Sequence, residues 1–252
     1  MAIETDILHY FNSPPSCYLG KRVYKRLFYE NAKLTAYDKK ILKEDVDTVW
    51  WQLSFKPTTI PIPPYKDEKR EYLEVALVEI ALHGKTRAAR LLEIVHRAIP
   101  YPLILMFTLG TEVCFSCADK RFSEAERDAV IAEGFRISDW IDLDGPSVVQ
   151  AEFLNSLDVT GWSYTSFLAF YNSYVTRLLS LESAGYTGVF SLDGGVDREE
   201  RISLLAECRQ IEEHIRSLRK AIKDEEHFNR QVEMNGKIKE LESMLAERVA
   251  RL

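Results

Sequence analysis

Prolines and glycines cut the middle of this chain into short apolar pieces. The runs DTVWWQLSFK, EYLEVALVEIALH, RAARLLEIVHRAI and LILMFTL are closed in turn by Pro57, Gly84, Pro100 and Gly110. Each piece suits one strand or one short helix and no more, which predicts a layered domain of short elements. The longest strongly apolar run, Tyr101 to Leu109, is far short of the roughly 20 residues a membrane helix needs, so no membrane association is expected.

Periodicity assigns the pieces. Residues 47–56 are rich in Val, Trp and Phe and read as a strand. Pro57, Pro61, Pro63 and Pro64 then forbid a central strand or a helix, and KDEKRE reads as a charged turn. Residues 71–83 fit helix or strand, and their Val and Ile content and alternation favour strand. Thr86 is placed to cap the next helix, whose Ala88, Leu91, Leu92, Val95 and Ile99 recur at helical spacing until Pro100 and Pro102 stop it. LILMFTL and VCFSCADKR form a hairpin about Gly110, and residues 130–141 add a strand. Upstream, Thr35 and Asp38 have the spacing of a capping box and open a helix over about 36–46. The stretch to Gly20, with Pro14-Pro15, reads as a lead-in of little regular structure. Strand, strand, helix and three strands joined by short links predict an α+β body over residues 1–145, with a mostly antiparallel sheet and a packed helix.

After Gly145-Pro146 the pattern turns helical and aromatic. Phe167, Phe170, Tyr171, Tyr174, Leu178 and Leu181 make one stripe, and GYTGVFSLDGG reads as a linker ending a second section, 146–196. Residues 197–252 form a helical, coiled-coil-like tail in which 25 of 56 positions are charged and proline is absent. Leu204, Ile211, Ile215, Leu218 and Ile222, then Ile238, Leu241, Leu245 and Leu252, recur at heptad-like steps. A narrow-stripe helix of this kind needs a partner surface. Ile211, Ile215, Leu218, Ile222, Ile238, Leu241 and Leu245 are therefore candidate partner-binding residues, whether the tail folds back on itself or two tails pair in a homodimer.

Composition narrows the functional classes. The net charge is -6, which argues against a basic nucleic-acid coat over the whole chain while leaving room for a local patch. Four cysteines without a disulfide framework, and no basic n-region followed by an apolar h-region, predict a reduced, cytoplasmic protein. Cys114-Phe-Ser-Cys117 is a single CxxC on a strand, where the two side chains face opposite ways, so both cysteines read as structural. The five histidines match no ligand spacing. Neither nucleotide cradle nor a GxSxG elbow occurs, so no metal, cofactor or catalytic residue is assigned. Asp139, Asp142 and Asp144 read as solvated turn acids before an ion site. Glu74 and Glu79 are the carboxylates that a divergent metal-dependent nuclease would use, but Glu79 lacks a lysine two positions on. Lys21, Arg22, Lys25 and Arg26, interleaved with Tyr24, Phe28 and Tyr29, are the strongest nucleic-acid candidates, with Lys56 and Lys120 as further contacts. A solvated basic face with its aromatics turned inward is the competing reading.

Four regions in order carry a resemblance: KRVYKRLFYENAKLT; Val49-Trp50-Trp51 through Lys56-Pro57 to Ile60; Ile94 through Ile99-Pro100-Tyr-Pro102 to Ile104; and Glu225 through Phe228-Asn229 and Val232 to Asn235. Together they resemble a bacterial and archaeal domain of unknown function, family 4391, nearly end to end. Lys120-Arg121 also fits. The resemblance brings no established activity and no catalytic residues. It implies a place beside helicase and methyltransferase genes in restriction-like, antiphage systems. The expected function is thus a non-enzymatic accessory subunit docking a helicase-like ATPase or a methyltransferase. Direct nucleic-acid binding and a divergent nuclease stand as alternatives.

Overall fold

The computed structural model describes residues 6–85, 87–124, 129–193 and 195–252. In chain order it contains β1 (Tyr18–Arg22), α1 (Arg26–Asn31), α2 (Ala36–Glu44), β2 (Val46–Phe55), β3 (Tyr65–Lys66), β4 (Glu71–Tyr72), β5 (Val75–Leu82), α3 (Ala88–Ala98), β6 (Leu103–Leu109) and β7 (Glu112–Phe122). Then follow β8 (Val130–Ile137), β9 (Ile141–Asp142), α4 (Val148–Ser156), α5 (Phe167–Thr187), α6 (Arg198–Asp224) and α7 (Phe228–Val249). The expected cap at Thr86 lies outside the described residues. Two compact units divide inside α5, one Met1–Leu178 and the other Leu179–Leu252; the boundaries read from sequence were 145 and 196.

The α+β class is as expected. The main sheet runs β1-β2-β5-β6-β7-β8, with β9 on β7, and β3-β4 is a separate small hairpin. Every pairing is antiparallel except one. Strands β5 and β6 pair in parallel, Ala76 opposite Leu103 and Ala81 opposite Thr108. The link between these strands carries α3, and a parallel pair requires a crossover of that kind.

One sheet face is covered by α1, α2 and α3, whose Phe28, Ile41, Leu42, Leu91 and Val95 are buried with Val78, Ile80, Leu105 and Phe107 of the strands. The other face is covered by α4 and the first part of α5. Phe115 meets Phe153, and Phe55 meets Phe170, with ring centroids 5.3 and 5.1 Å apart. The ladder between β6 and β7 ends at Leu105–Ser116. Where the next pair would form, the Tyr171 hydroxyl accepts from the Ala118 N–H at 3.2 Å and lies 3.0 Å from the carbonyls of Leu103 and Ala118. A buried phenol thus satisfies backbone groups that the diverging strands leave open. The N-terminal lead-in is more ordered than expected: it forms short 3-10 turns that bury Ile7 and Phe11 fully, Phe11 edge-on to Trp162.

Polar contacts fix α3 at both ends. The Thr35–Asp38 capping box forms as the spacing predicts: Thr35 Oγ1 accepts from the Asp38 N–H at 3.1 Å, and Asp38 Oδ2 from the Thr35 N–H at 3.0 Å. The same carboxylate takes a two-point contact from Arg90, Nε to Oδ1 at 2.7 Å and Nη2 to Oδ2 at 2.9 Å. Arg87 reaches Asp45 and Glu44. At the far end the Lys120 ammonium donates to the carbonyls of His96 and Ile99, acceptors that a helix C-terminus otherwise leaves unpaired.

In the second unit, α6 begins on an Asp197 cap, its carboxylate 2.8 Å from the Glu200 N–H. Three residues separate α6 from α7, and α7 runs back along it: Glu207 meets Arg248 at 2.5 Å and Glu242 meets Arg219 at 2.7 Å. Ile211, Ile215 and Ile238 are buried, with Leu218, Ile222, Leu241 and Leu245 packed around them. The stripe read as a partner surface is therefore the seam of this helical hairpin. Within the same unit the last turns of α5 join α6 through Arg201 to Ser180 and Tyr186 to Glu212. The glycine-rich stretch read as a linker starts inside α5 and leaves helix only after Thr187.

Hydrogen bonding from Arg90 holds the Asp38 carboxyl well below the usual carboxylate range. A carboxyl depressed in the fold contributes stability that is present above its unfolded pKa, about 4, and is lost as pH falls toward the native value. Asp38→Ala should cost about 2–3 kcal/mol at pH 7 through lost charged hydrogen bonds and a lost cap. Its deficit should shrink at pH 3. Urea unfolding of both proteins at the two pH values checks this, and equal midpoints at pH 7 would refute it.

Candidate nucleic-acid interface

Residues 18–44 hold eight lysines and arginines against three acids, a local +5 in a chain whose total is -6. They build the outermost strand β1 and the two helices after it. Of the three acids, Asp38 is buried beneath Arg90, Glu30 pairs with Arg26 at 2.5 Å on the surface, and Glu44, also exposed, lies 3.9 Å from Lys40 and 3.3 Å from Arg87. Cationic side chains consequently dominate the exposed part of this segment.

All five residues of β1 are exposed, Lys21 and Arg22 among them. Among the described residues the strand pairs with β2 only, with Lys21 opposite Trp51 and Arg22 opposite Trp50. Lys25 is different: its ammonium donates to the Val46 carbonyl at 2.5 Å, and burial draws its pKa down from the ordinary value. It ties α1 to the start of β2 and is half-buried. Arg26 projects from α1 with most of its side chain exposed. Lys56 is exposed but follows the end of β2, five residues from Trp51, which is roughly 17 Å along a strand; it does not join the others.

The aromatics divide. Phe28 is fully buried in the core, as the competing reading requires of all of them. Tyr24 is 72% exposed, Tyr37 56%, Tyr18 48% and Tyr29 39%. The Tyr29 hydroxyl donates to the Lys39 carbonyl at 3.4 Å, setting α1 beside α2. Helix α2 thereby adds Tyr37, Lys39, Lys40 and Lys43, all exposed and all missed as site residues by reading the sequence. Their signal was available: a tyrosine followed by paired lysines on the outer side of an amphipathic helix.

Lys120 does not belong to this surface. It is 2% exposed, and its stem runs inward from β7 to the end of α3. Beside it lies His96, fully buried, with Nε2 3.2 Å from Ser116 Oγ. Burial and the neighbouring ammonium hold that imidazole well below its ordinary pKa. The other candidates are spread about the unit. Glu79 accepts from Gln52 at 2.7 Å and Thr108 at 3.1 Å. Burial raises the Glu74 carboxyl. Asp142 accepts from the Thr111 hydroxyl and the Asp144 N–H, as a turn acid does. Cys114 packs in the core on the α3 side, and Cys117 lies beside Tyr171 and Tyr174; both are buried and neither is in a disulfide.

A family model described as a domain of unknown function (DUF4391) matches residues 11–245. The chain belongs to that family. No curated protein and no solved structure matches it. Among the described residues no helix is long and apolar enough to cross a membrane.

Burial lowers the Lys120 ammonium to about 7, against about 10.4 for an unfolded lysine. Between those values the unfolded chain holds the extra proton, so this residue makes stability rise with pH across that interval. Lys120→Met should flatten the rise. Urea midpoints collected from about pH 6.5 to 9.5 would show it, and parallel pH profiles for the two proteins would count against it.

Proposed function

We propose that this chain binds single-stranded nucleic acid on β1, α1 and α2, and does so as an accessory subunit of a restriction-like or antiphage system. The binding reading rests on one observation: exposed tyrosines stand among exposed cations that outnumber the acids beside them, in a chain that is acidic overall. Lysine and arginine neutralise phosphates and release their counterions, while exposed rings offer stacking platforms to unpaired bases whatever their sequence. Lys21, Arg22 and Arg26 are the phosphate contacts, joined by Lys39, Lys40 and Lys43. Tyr18, Tyr24 and Tyr37 are the stacking residues. Lys25 orients α1 by its bond to Val46. The system and the protein partner, a helicase-like ATPase or a methyltransferase, come from the family resemblance alone.

Fluorescence anisotropy with a labelled single-stranded oligonucleotide tests the binding. Affinity should fall steeply with salt, and Lys21→Ala with Arg22→Ala should reduce the slope of log K against log salt by roughly 1–2. Tyr24→Ala should weaken binding about tenfold with the slope unchanged. Absence of binding at about 50 mM salt sinks the proposal. For the partner, co-purification with the product of a neighbouring helicase gene should be lost when residues 197–252 are deleted; undiminished co-purification removes that part.

A further inference from the structure

Between the α1–α2 loop, α3 and the edge strand β8 lies a cavity of about 450 Å³. That size falls within the range of small-molecule sites, roughly 300–1,000 Å³. Three kinds of wall meet in it. Leu34 and Ile94 supply apolar surface, Lys33, Arg90 and Arg97 supply cations, and Asp38, whose carboxylate Arg90 engages, is the one acid among the described lining residues. Residues 130–132 of β8 form another wall, and among the described residues β8 has a strand neighbour on one side only. An edge strand turns alternate N–H and C=O groups away from its sheet, so this wall carries backbone donors and acceptors.

The cations are not equivalent. Arg90 is committed to Asp38 and to Glu93, the latter at 2.8 Å, and serves as a fixed wall. Arg97 lies over the Phe135 ring, 5.5 Å from its centroid, with Nη2 3.4 Å from Glu93. A guanidinium has five N–H donors in a planar fork, and these contacts leave donors for a phosphate. Lys33 is exposed, in the loop that joins α1 to α2. The cavity is thus lined by the link between the two helices that carry Tyr24, Tyr37 and the lysines.

We infer that the cavity receives one unpaired nucleotide of the bound strand. Its phosphate meets Arg97 and Lys33, its base lies between Leu34 and Ile94, and the base edge meets the backbone of β8. This rests on the nucleic-acid reading above and adds a place where a single base leaves the strand, a device by which proteins reach or read individual nucleotides. The surface holds the strand by charge and stacking; the cavity selects an unstacked residue from it.

The test uses the full chain and three probes: a labelled single-stranded oligonucleotide, adenosine monophosphate and inorganic phosphate. Backbone amide NMR should show saturable shifts at Arg97 and residues 130–132 with the mononucleotide, and much weaker ones with phosphate. Saturating mononucleotide should lower the strand's affinity. Arg97→Gln should weaken strand binding about tenfold; Leu34→Trp, which fills the half-buried side of the cavity, should abolish the mononucleotide shifts. If the strand binds and Tyr24→Ala weakens it while Arg97→Gln and Leu34→Trp do not, the inference is overturned and the surface reading stands. Equal binding of phosphate and mononucleotide, or a strand affinity indifferent to saturating mononucleotide, also overturns it. If no strand binds at all, the surface reading fails first and the inference falls with it.

Discussion

The parallel pairing of β5 with β6 requires α3 to cross over the sheet, and polar contacts at both ends hold the helix there. At its start, Arg90 joins the Asp38 carboxylate that also closes the cap of α2, so one buried acid fixes two helices to each other. At its end, Lys120 occupies carbonyls that the helix cannot satisfy itself. Burying an ammonium is expensive unless hydrogen bonds compensate. The carbonyls of His96 and Ile99 offset part of that cost, and only while α3 ends where it does, so the contact specifies position more than it adds stability. The strands beneath are apolar and would accept a sliding helix; these two contacts do not.

That same arrangement sets the surface charge. Asp38 faces Arg90 of α3 and Asp45 faces Arg87 just before it, which leaves Glu30 and Glu44 as the exposed acids of α1 and α2 beside Arg26, Lys39, Lys40 and Lys43. Packing thus contributes to the local excess of cations: two acids are drawn toward α3 and its cap while the lysines stay outside. The cavity arises from the same contact. Arg90 spans from α3 to α2 to reach Asp38, and the space beside it is left lined by Leu34, Ile94 and Arg97 and walled by the free edge of β8.

Local signals were legible where the physics is local. The capping box at Thr35 and Asp38, the strand through Trp50 and Trp51, and the hairpin at Gly110 all depend on neighbours within a few residues, and each formed as expected. What needed distant partners was not legible. Lys120 looks like any surface lysine until α3 is placed above it, since lysine is rarely buried. The stripe from Ile211 to Leu245 announced that it required a partner but not which one. The three-residue break before α7 answers that, because so short a link between helices returns the chain antiparallel on itself. Tyr37, Lys39 and Lys40 read as the ordinary solvated side of an amphipathic helix until α1 is placed beside α2, and the cavity draws on three segments about 60 and 40 residues apart, with no pattern in any one of them.

An edge strand must avoid pairing with other chains, and charged residues on it achieve that. Lys21 and Arg22 on β1 are thereby explained without any ligand. The tyrosines are not. Edge protection gains nothing from Tyr24 at 72% exposure or Tyr37 at 56%, and a ring in water forgoes the burial that Phe28, four residues from Tyr24, obtains in full. Solubility alone would favour further charges at those positions. Aromatic rings kept outside among cations suit a ligand that presents both flat apolar faces and negative charge, and a single-stranded nucleic acid is the polymer with that pairing repeated at every residue.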